Sequence, residues 1–250
     1  MKSITQKILL AGLFLFISSF TLQAQVMVMQ YRSVAPEDRA EFVKRETTYW
    51  AAIAKKAIDD GKMLSWQLWE TVGGMNIDDD SPNFVFVNSF ADKGALDKMA
   101  EVWNPSAVFP DKKMEDMETN SMSHVVHSII TRVMATAGVS GQFARVNYDK
   151  VTNFNLYQKR EGEIWLPFIE KAMKDEKTSV KGWNGIGVVM PRGASMPFNA
   201  FTVDYFDTMS EAAMPTFSED LEFPDFEDTG DSFTRTKVQI YRLIKAVRKE

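Results

Sequence analysis

The chain has 250 residues, of which 45% are hydrophobic and 12% aromatic, and it contains no cysteine. This composition can support a folded core, and the lack of cysteine excludes disulfide frameworks, zinc–thiolate sites, iron–sulfur clusters and a cysteine nucleophile. The formal net charge of -5 argues against a nucleic-acid-binding surface, because such a surface needs a basic face.

The N-terminus has the pattern of a secretory signal peptide. Two lysines precede an apolar run from Ile8 to Phe20, and the small residue Ala24 lies at the expected cleavage point. The run is shorter than the about 20 residues that span a membrane. We therefore expect a bacterial protein that loses residues 1–24, is periplasmic or secreted, and does not stay inserted in the membrane. An uncleaved anchor is the alternative.

Residues 25–136 predict the order strand, helix, strand, strand, helix, strand. The first helix is expected to begin near Pro36, to carry apolar residues at helical spacing and to end at Gly61. A second helix is expected around Lys93–Trp103. The order is that of a ferredoxin-like unit. The predicted strands are Val26–Arg32, Met63–Thr71, Asn83–Phe90 and His124–Met134.

The same pattern recurs in residues 137–250, which indicates an internal duplication. The anchors are Lys44-Arg45-Glu46-x-x-x-Trp50 with Lys159-Arg160-Glu161-x-x-x-Trp165, Trp66 with Trp183, Asn83 with Asn199, Phe90 with Phe206, and Phe109-Pro110-Asp111 with Phe223-Pro224-Asp225. Because these matches keep the same order along the chain, coincidence is the weaker explanation. The strands of the second copy are expected near Ala144–Tyr148, Gly182–Met190, Asn199–Phe206 and Lys237–Val247.

Both faces of the strand around Phe84–Phe90 are apolar, so both must be covered. We therefore predict an α+β fold of two ferredoxin-like βαββαβ units, packed sheet to sheet with the helices outside, as an internal pseudo-dimeric α/β barrel. One difference between the copies is expected. Pro167 lies where the first copy has Ala52, which predicts a kink or break near Glu163–Trp165 in the second copy.

Two segments of the first copy resemble the dimeric α/β-barrel superfamily, and NIPSNAP-like proteins within it. They are Glu46-x-x-Tyr49-Trp50 and Gly61-Lys62-x-x-Ser65-Trp66, and the second copy carries a close version of both. The resemblance implies the barrel fold over nearly all of the chain that follows the signal peptide. The superfamily includes cofactor-free monooxygenases, haem enzymes such as chlorite dismutases, and stress-response barrels, so the fold alone does not define a function.

The same resemblance implies a ligand site between the sheet and the helices of one unit. Asn88 and Asp204 interrupt apolar strands and need a polar partner, which is a ligand, the neighbouring backbone or a basic side chain. Core packing is the alternative role for the tryptophans, and Glu46 and Glu161 are expected to pair with basic residues on an exposed helix face. The candidate ligand-binding residues are Tyr49, Trp66, Asn88, Trp183 and Asp204.

The sequence predicts neither a metal site nor a cofactor. His124 and His127 point to opposite faces of a strand, and the second copy lacks the histidine that the resemblance would require for haem. The loop Asn76–Ser81 lacks the ligand pattern of a calcium loop, and the acidic stretch Glu219–Asp231 is expected to be a solvated edge anchored by aromatic side chains.

These observations favour an exported small-molecule-binding or accessory protein that holds a largely apolar or aromatic ligand. No catalytic residue is assigned, and enzymatic activity is left open, with binding alone preferred. One alternative is a cofactor-free, monooxygenase-like enzyme, and another is a structural barrel without a ligand. The sequence does not define an oligomeric state.

Overall fold

The computed structural model describes residues 25–72, 81–193 and 195–249, and in this part of the chain eight antiparallel strands close into one barrel. The order around the barrel is β1-β3-β2-β8-β5-β7-β6-β4. The strands are β1 (Val26–Val34), β2 (Ser65–Val72), β3 (Phe84–Phe90), β4 (Ser123–Gly138), β5 (Phe143–Val151), β6 (Gly182–Met190), β7 (Ala200–Phe206) and β8 (Phe233–Arg248).

The strand order contains the same arrangement twice, as the ferredoxin-like prediction requires. The first unit, β1 to β4, has the order β4-β1-β3-β2, and the second unit, β5 to β8, has the order β8-β5-β7-β6. Edge strands join the units, because β2 pairs with β8 and β4 pairs with β6. The predicted α+β barrel is therefore confirmed, with its two sheets hydrogen-bonded into one closed wall. β4 continues to Gly138, so the predicted boundary at residue 136 lies within this strand.

Helices cover the outside of the barrel, and each long helical run changes its geometry midway. In the first unit α1 (Arg39–Arg45) and α2 (Ala51–Asp59) flank a π-helical segment, Glu46–Trp50. In the second unit α3 (Phe154–Gln158) and α4 (Leu166–Lys174) flank a π-helical segment, Lys159–Trp165, and α5 (Met209–Ala213) follows β7. The 3-10 helices are Lys93–Glu101, Pro105–Ala107, Met114–Asp116 and Glu227–Thr229.

The π-helical segments correct one prediction about the helices. An irregular segment does occur at Lys159–Trp165, which includes the predicted position. Pro167, however, lies in the first turn of α4, where proline is tolerated, and the first unit has a π-helical segment without any proline. The expected difference between the copies is therefore wrong. Trp50 and Trp165 each end their segment and so occupy equivalent positions.

Apolar side chains form three layers: the barrel interior and one layer under the helices of each unit. In β3, Phe84 and Phe86 pack against the helices, while Val85 and Val87 face the barrel interior. Both faces of this strand are thus covered, as its composition requires. In the described part of the chain, no helix is long and apolar enough to cross a membrane.

Two asparagines show how closely the units repeat. The Asn83 side chain accepts a hydrogen bond from the Val34 N–H (3.0 Å) and donates one to the Val34 carbonyl (2.8 Å). Asn199 makes the same pair of bonds to the backbone of Val151, at 2.6 and 2.9 Å. Each asparagine therefore fixes the end of the first strand of its unit against the third.

Candidate functional site

A cleft of about 270 Å³ lies between the sheet and the helices of the second unit. Its floor comes from the four strands of this unit, and its roof comes from the π-helical segment, the loop before β6 and the segment after β7. The lining residues are Arg145, Asn147, Arg160, Glu161, Trp165, Val180, Trp183, Thr202, Asp204, Pro215, Phe217, Phe226, Phe233 and Arg235.

Small residues on β6 and β7 provide the space for this cleft. In the first unit the cross-strand pair Leu68 and Phe86 is buried under the helices, where Phe86 packs on Trp66 with a ring separation of 6.0 Å. The equivalent pair in the second unit is Gly185 and Thr202. A Cβ atom on Gly185 would lie 2.9 Å from the Trp183 ring, so this glycine lets the indole rest against the strand.

Asp204 is the carboxyl that reaches the cleft from the sheet. It is half-buried on β7, lies opposite Trp183 in the ladder, and accepts a hydrogen bond from Asn147 Nδ2 at 2.9 Å. Burial raises the pKa of Asp204 to about 6, although the Asn147 bond, Arg235 and Arg145 act in the opposite direction. Asn147 also donates to the Thr202 hydroxyl at 3.1 Å, so the carboxyl is held by an amide that is itself fixed.

Glu161 enters the cleft from the helical side. Its side chain is 8% exposed, and burial, followed by the negative charge of Asp149, raises its pKa to about 7. Asp149 is itself buried and accepts hydrogen bonds from Tyr157 Oη (3.0 Å) and Arg235 Nε (3.1 Å). Glu161 and Asp204 thus line the cleft with Asp149 buried nearby, and burial raises the pKa of all three carboxyl groups.

The corresponding glutamate of the first unit is also buried. Glu46 is 4% exposed and accepts a hydrogen bond from the Thr119 hydroxyl at 2.6 Å. Burial raises its pKa to about 7, against the effects of that bond and of the Arg32 guanidinium. The prediction that Glu46 and Glu161 lie on exposed helix faces is wrong, because both belong to π-helical segments that direct them towards the sheet. The expected pairing with a basic residue holds for Glu161, whose carboxyl lies 3.7 Å from Arg160 Nε.

Arginine and aromatic side chains form the rest of the cleft. The Arg160 guanidinium lies over the Phe226 ring, 4.0 Å from its centroid, and Arg145 donates to the carbonyls of Ala212 and Ala213. Arg235 stays 43% exposed while it binds Asp149, so its charge is accessible from solvent. Aromatic walls with several cations suit a flat molecule that is negatively charged or becomes so during reaction.

The structure separates the predicted ligand-binding residues into two groups. Trp183 and Asp204 meet in the second-unit cleft. Trp66 and Asn88 are paired in the first unit, where phenylalanine rings fill the space, and the buried Asn88 Oδ1 has no hydrogen-bond partner among the described residues. Tyr49 lies apart from both groups, edge-on to Phe109 with a ring separation of 5.4 Å. The five residues therefore do not form one site.

Several cleft residues were not predicted from the sequence. Glu161 lies in the repeated Lys-Arg-Glu motif, and the motif alone does not show that it is buried. Gly185 and Thr202 could have been found by aligning the two copies, since they replace Leu68 and Phe86. Arg160 lies in the same repeated motif as Glu161, whereas Arg145, Asn147 and Arg235 carried no sequence signal that distinguishes them from solvated polar residues.

The residues around the cleft do not fit a haem-iron site. Haem iron takes an axial His, Cys, Met or Tyr ligand, and the described lining residues include none of these types. His127 lies on β4 with its ring stacked on Tyr31 at 4.2 Å, and its buried Nε2 has no hydrogen-bond partner among the described residues. In the same part of the chain, no group of three or more His, Cys, Asp or Glu side chains could hold a metal ion.

The acidic stretch before β8 has the aromatic anchors expected from its sequence. Phe223 packs on Phe168 and Phe217, with ring separations of 5.2 and 5.1 Å, and Phe226 contacts Trp165 at 6.4 Å. The loop compared with calcium sites lies outside the described residues except for its last member, Ser81. The predicted signal peptide, residues 1–24, also lies outside them.

Comparison with solved structures supports the fold. The chain is similar to a candidate monooxygenase from Fusobacterium nucleatum (13% identity, TM-score 0.54, covering 91% of this chain and 96% of that one). It is also similar to an anthrone oxidase-like protein (10% identity, TM-score 0.54, covering 90% of this chain and 93% of that one). A third similar structure is a candidate monooxygenase from Lactobacillus acidophilus (12% identity, TM-score 0.51, covering 90% of this chain and 96% of that one).

These similarities support the barrel fold that the predicted resemblance implies. At such low identity the similarity concerns the fold alone. The narrower resemblance to NIPSNAP-like proteins stays a prediction. No protein-family model and no curated protein matches this sequence.

Proposed function

We propose that the second-unit cleft is the active site of a cofactor-free, monooxygenase-like enzyme that acts on a small aromatic molecule. The observation that carries this proposal is Asp204, a carboxyl fixed by Asn147 at the floor of an aromatic, arginine-lined cleft. Its pKa, which burial raises to about 6, is close to the value that suits a general base near neutral pH. The names of the structural neighbours favour the same reaction class.

The substrate we infer carries a methylene group that is activated by the adjoining aromatic system. Asp204 removes a proton from this group, and Arg145 and Arg235 stabilise the resulting anion. The anion reduces O₂ and forms a carbon–oxygen bond, and the proton held by Asp204 converts the peroxide into a hydroperoxide. Loss of water, with removal of the second methylene proton, leaves a carbonyl, so that CH₂ and O₂ become C=O and H₂O.

The test measures oxygen uptake with a panel of anthrone-like and hydroxylated aromatic compounds. Asp204→Asn keeps the shape of the side chain and removes the base, so we expect kcat to fall about 10²- to 10⁴-fold while the compound still binds. Thr202→Phe places in the cleft the ring that Phe86 provides in the first unit, so it should abolish binding. Asn88→Ala is the matched control in the first unit and should leave the rate unchanged.

The pH dependence gives a second measurement. Because Asp204 acts as a base only when ionised, kcat/KM should rise as the pH increases through about 6. Turnover that survives Asp204→Asn would contradict the assignment. Saturable binding at the cleft without oxygen uptake for any compound would instead favour an accessory protein that binds its ligand without converting it.

A further inference from the structure

The barrel interior contains a second cavity, with a volume of about 430 Å³, that is separate from the second-unit cleft. The two spaces have no lining residue in common, because alternate residues of each strand face opposite sides of the barrel wall. On β7, for example, Thr202 and Asp204 face the cleft, whereas Val203 and Tyr205 face the interior cavity. The volume lies within the range of about 300–1,000 Å³ that small-molecule sites occupy.

The walls of this cavity are mainly apolar and uncharged. Met27, Met29, Trp69, Val87 and Val146 contribute to them, and the described lining residues include one charged side chain, the exposed Arg132. An ion would therefore lose its hydration without gaining an opposite charge inside the barrel. The composition favours a neutral, largely apolar occupant.

The Tyr205 hydroxyl is one donor in the cavity that is available to such an occupant. Tyr205 Oη accepts a hydrogen bond from Asn184 Nδ2 at 3.1 Å, and Asn184 Oδ1 accepts one from the Thr136 hydroxyl at 2.6 Å. The Asn184 amide is thereby oriented, and the Tyr205 hydroxyl proton has no acceptor among the described residues. Burial raises the pKa of Tyr205 to about 12, so the hydroxyl remains a donor at neutral pH.

The other tyrosine hydroxyls of the interior are already connected to one another. Tyr148 Oη lies 2.8 Å from Tyr241 Oη and 3.3 Å from Tyr31 Oη. His127 stacks on Tyr31, and Phe198 packs against Tyr148 with a ring separation of 4.6 Å. The Tyr205 hydroxyl lies outside this connected group and keeps its proton for a ligand oxygen.

We propose that the barrel interior binds an uncharged, largely apolar molecule through a carbonyl or similar acceptor oxygen, which the Tyr205 hydroxyl recognises beside the Trp69 indole. This site goes beyond the proposed function, because its lining residues differ from those of the cleft. Its ligand class also differs, since the cleft provides charged groups and the barrel interior provides almost none.

The experiment uses the neutral naphthyl ketone probe prodan, whose emission reports both polarity and hydrogen bonding to its carbonyl. Titration of the purified protein should give saturable binding with energy transfer from tryptophan. Val87→Phe places a ring inside the cavity and should weaken binding about ten-fold or more, which corresponds to about 1.4 kcal/mol. Tyr205→Phe should weaken binding about five-fold and shift the bound emission to shorter wavelength, because the donor to the carbonyl is lost.

Two control variants locate the probe. Tyr49→Phe removes a tyrosine hydroxyl outside the barrel, and Thr202→Phe fills the second-unit cleft, so both should bind prodan within about two-fold of the unmodified protein. Circular dichroism verifies the fold of every variant, and if Val87→Phe fails to fold, the Tyr205→Phe emission shift decides the question. Absence of saturable binding, or binding that is lost in Thr202→Phe and retained in Val87→Phe, would overturn the proposal. Loss of oxygen uptake in Thr202→Phe with intact prodan binding separates this site from the proposed active site.

Discussion

The buried glutamate of the second unit makes a prediction about stability that can be worked from the structure. Burial raises the pKa of Glu161 from 4.5 to about 7 in the folded protein. The folded state therefore holds this proton more tightly than the unfolded chain does. The stabilisation is fully present below pH 4.5 and is lost as the pH rises to about 7. Because a tenfold change in proton affinity corresponds to about 1.4 kcal/mol, the loss amounts to about 3 kcal/mol.

Glu161→Gln replaces the carboxyl with a neutral group of the same shape. It therefore removes the free-energy cost of ionising a buried carboxyl in the folded protein. At pH 8 we expect the variant to be more stable than the unmodified protein by up to about 3 kcal/mol, and at pH 4 to have nearly the same stability. For a chain of this size the gain corresponds to a rise in Tm of about 6–12 °C at pH 8. Urea unfolding, followed by tryptophan fluorescence at pH 4, 6 and 8, gives the free energy of unfolding.

A neighbour on the same π-helical segment provides the control. Glu163 is exposed, and Glu163→Gln changes the net charge by the same amount without affecting a buried group. Its free energy of unfolding should differ little from that of the unmodified protein at any pH. The reasoning fails if the stability gain of Glu161→Gln does not depend on pH, or if Glu163→Gln reproduces it. Glu46→Gln should behave like Glu161→Gln, because Glu46 is equally buried.

Three further predictions follow from other parts of the molecule. Asn83→Ala and Asn199→Ala should each lower the free energy of unfolding by about 2–4 kcal/mol, because each leaves a backbone N–H and a carbonyl without their partner. A loss of less than about 1 kcal/mol in urea unfolding would contradict this prediction. Gly185→Ala should displace the Trp183 ring and cost about 1–3 kcal/mol, with an altered tryptophan emission, whereas an unchanged spectrum would show that the ring is not confined there. We also propose that the chain is exported, so mass spectrometry of the exported protein should find Gln25 as its first residue, and an intact N-terminus would refute cleavage near Ala24.

The fold could be predicted because its evidence is distributed along the whole sequence. Repeated tryptophans, the Asn83 and Asn199 anchors and the apolar strands all survive in both copies, and each has a local physical meaning. The π-helical segments were not predictable from the same pattern. Helical periodicity assumes about 100° per residue, and a π turn inserts one extra residue, which redirects the side chains near it. Glu46 and Glu161 were therefore placed on the wrong face.

The site was predictable only where one residue conflicts with its surroundings. Asp204 stands out as a charge in an apolar strand, and Trp183 stands out through its duplicate in the first copy. Arg235 and Asp149 are 86 positions apart in the sequence, and strand pairing between β5 and β8 brings them together. No periodicity within one strand carries that information, because it depends on which strands of the second unit are neighbours and on the register between them.

The divergence of the two copies explains why the proposed chemistry belongs to the second unit. Arg32 on β1 faces Phe84, and the equivalent pair on β5 and β7 is Asp149 and Ala200. In the first unit the Arg32 cation lowers the pKa of Glu46, whereas the Asp149 carboxyl at the equivalent position of the second unit raises the pKa of Glu161. The Phe84 ring of the first unit is likewise replaced by the methyl group of Ala200. In the first unit phenylalanine rings fill the space under the helices, so the buried Glu46, whose pKa burial also raises to about 7, has no room for a substrate beside it. Space beside carboxyls that titrate near neutral pH costs stability in the second unit, and it is also what a general base and its substrate require.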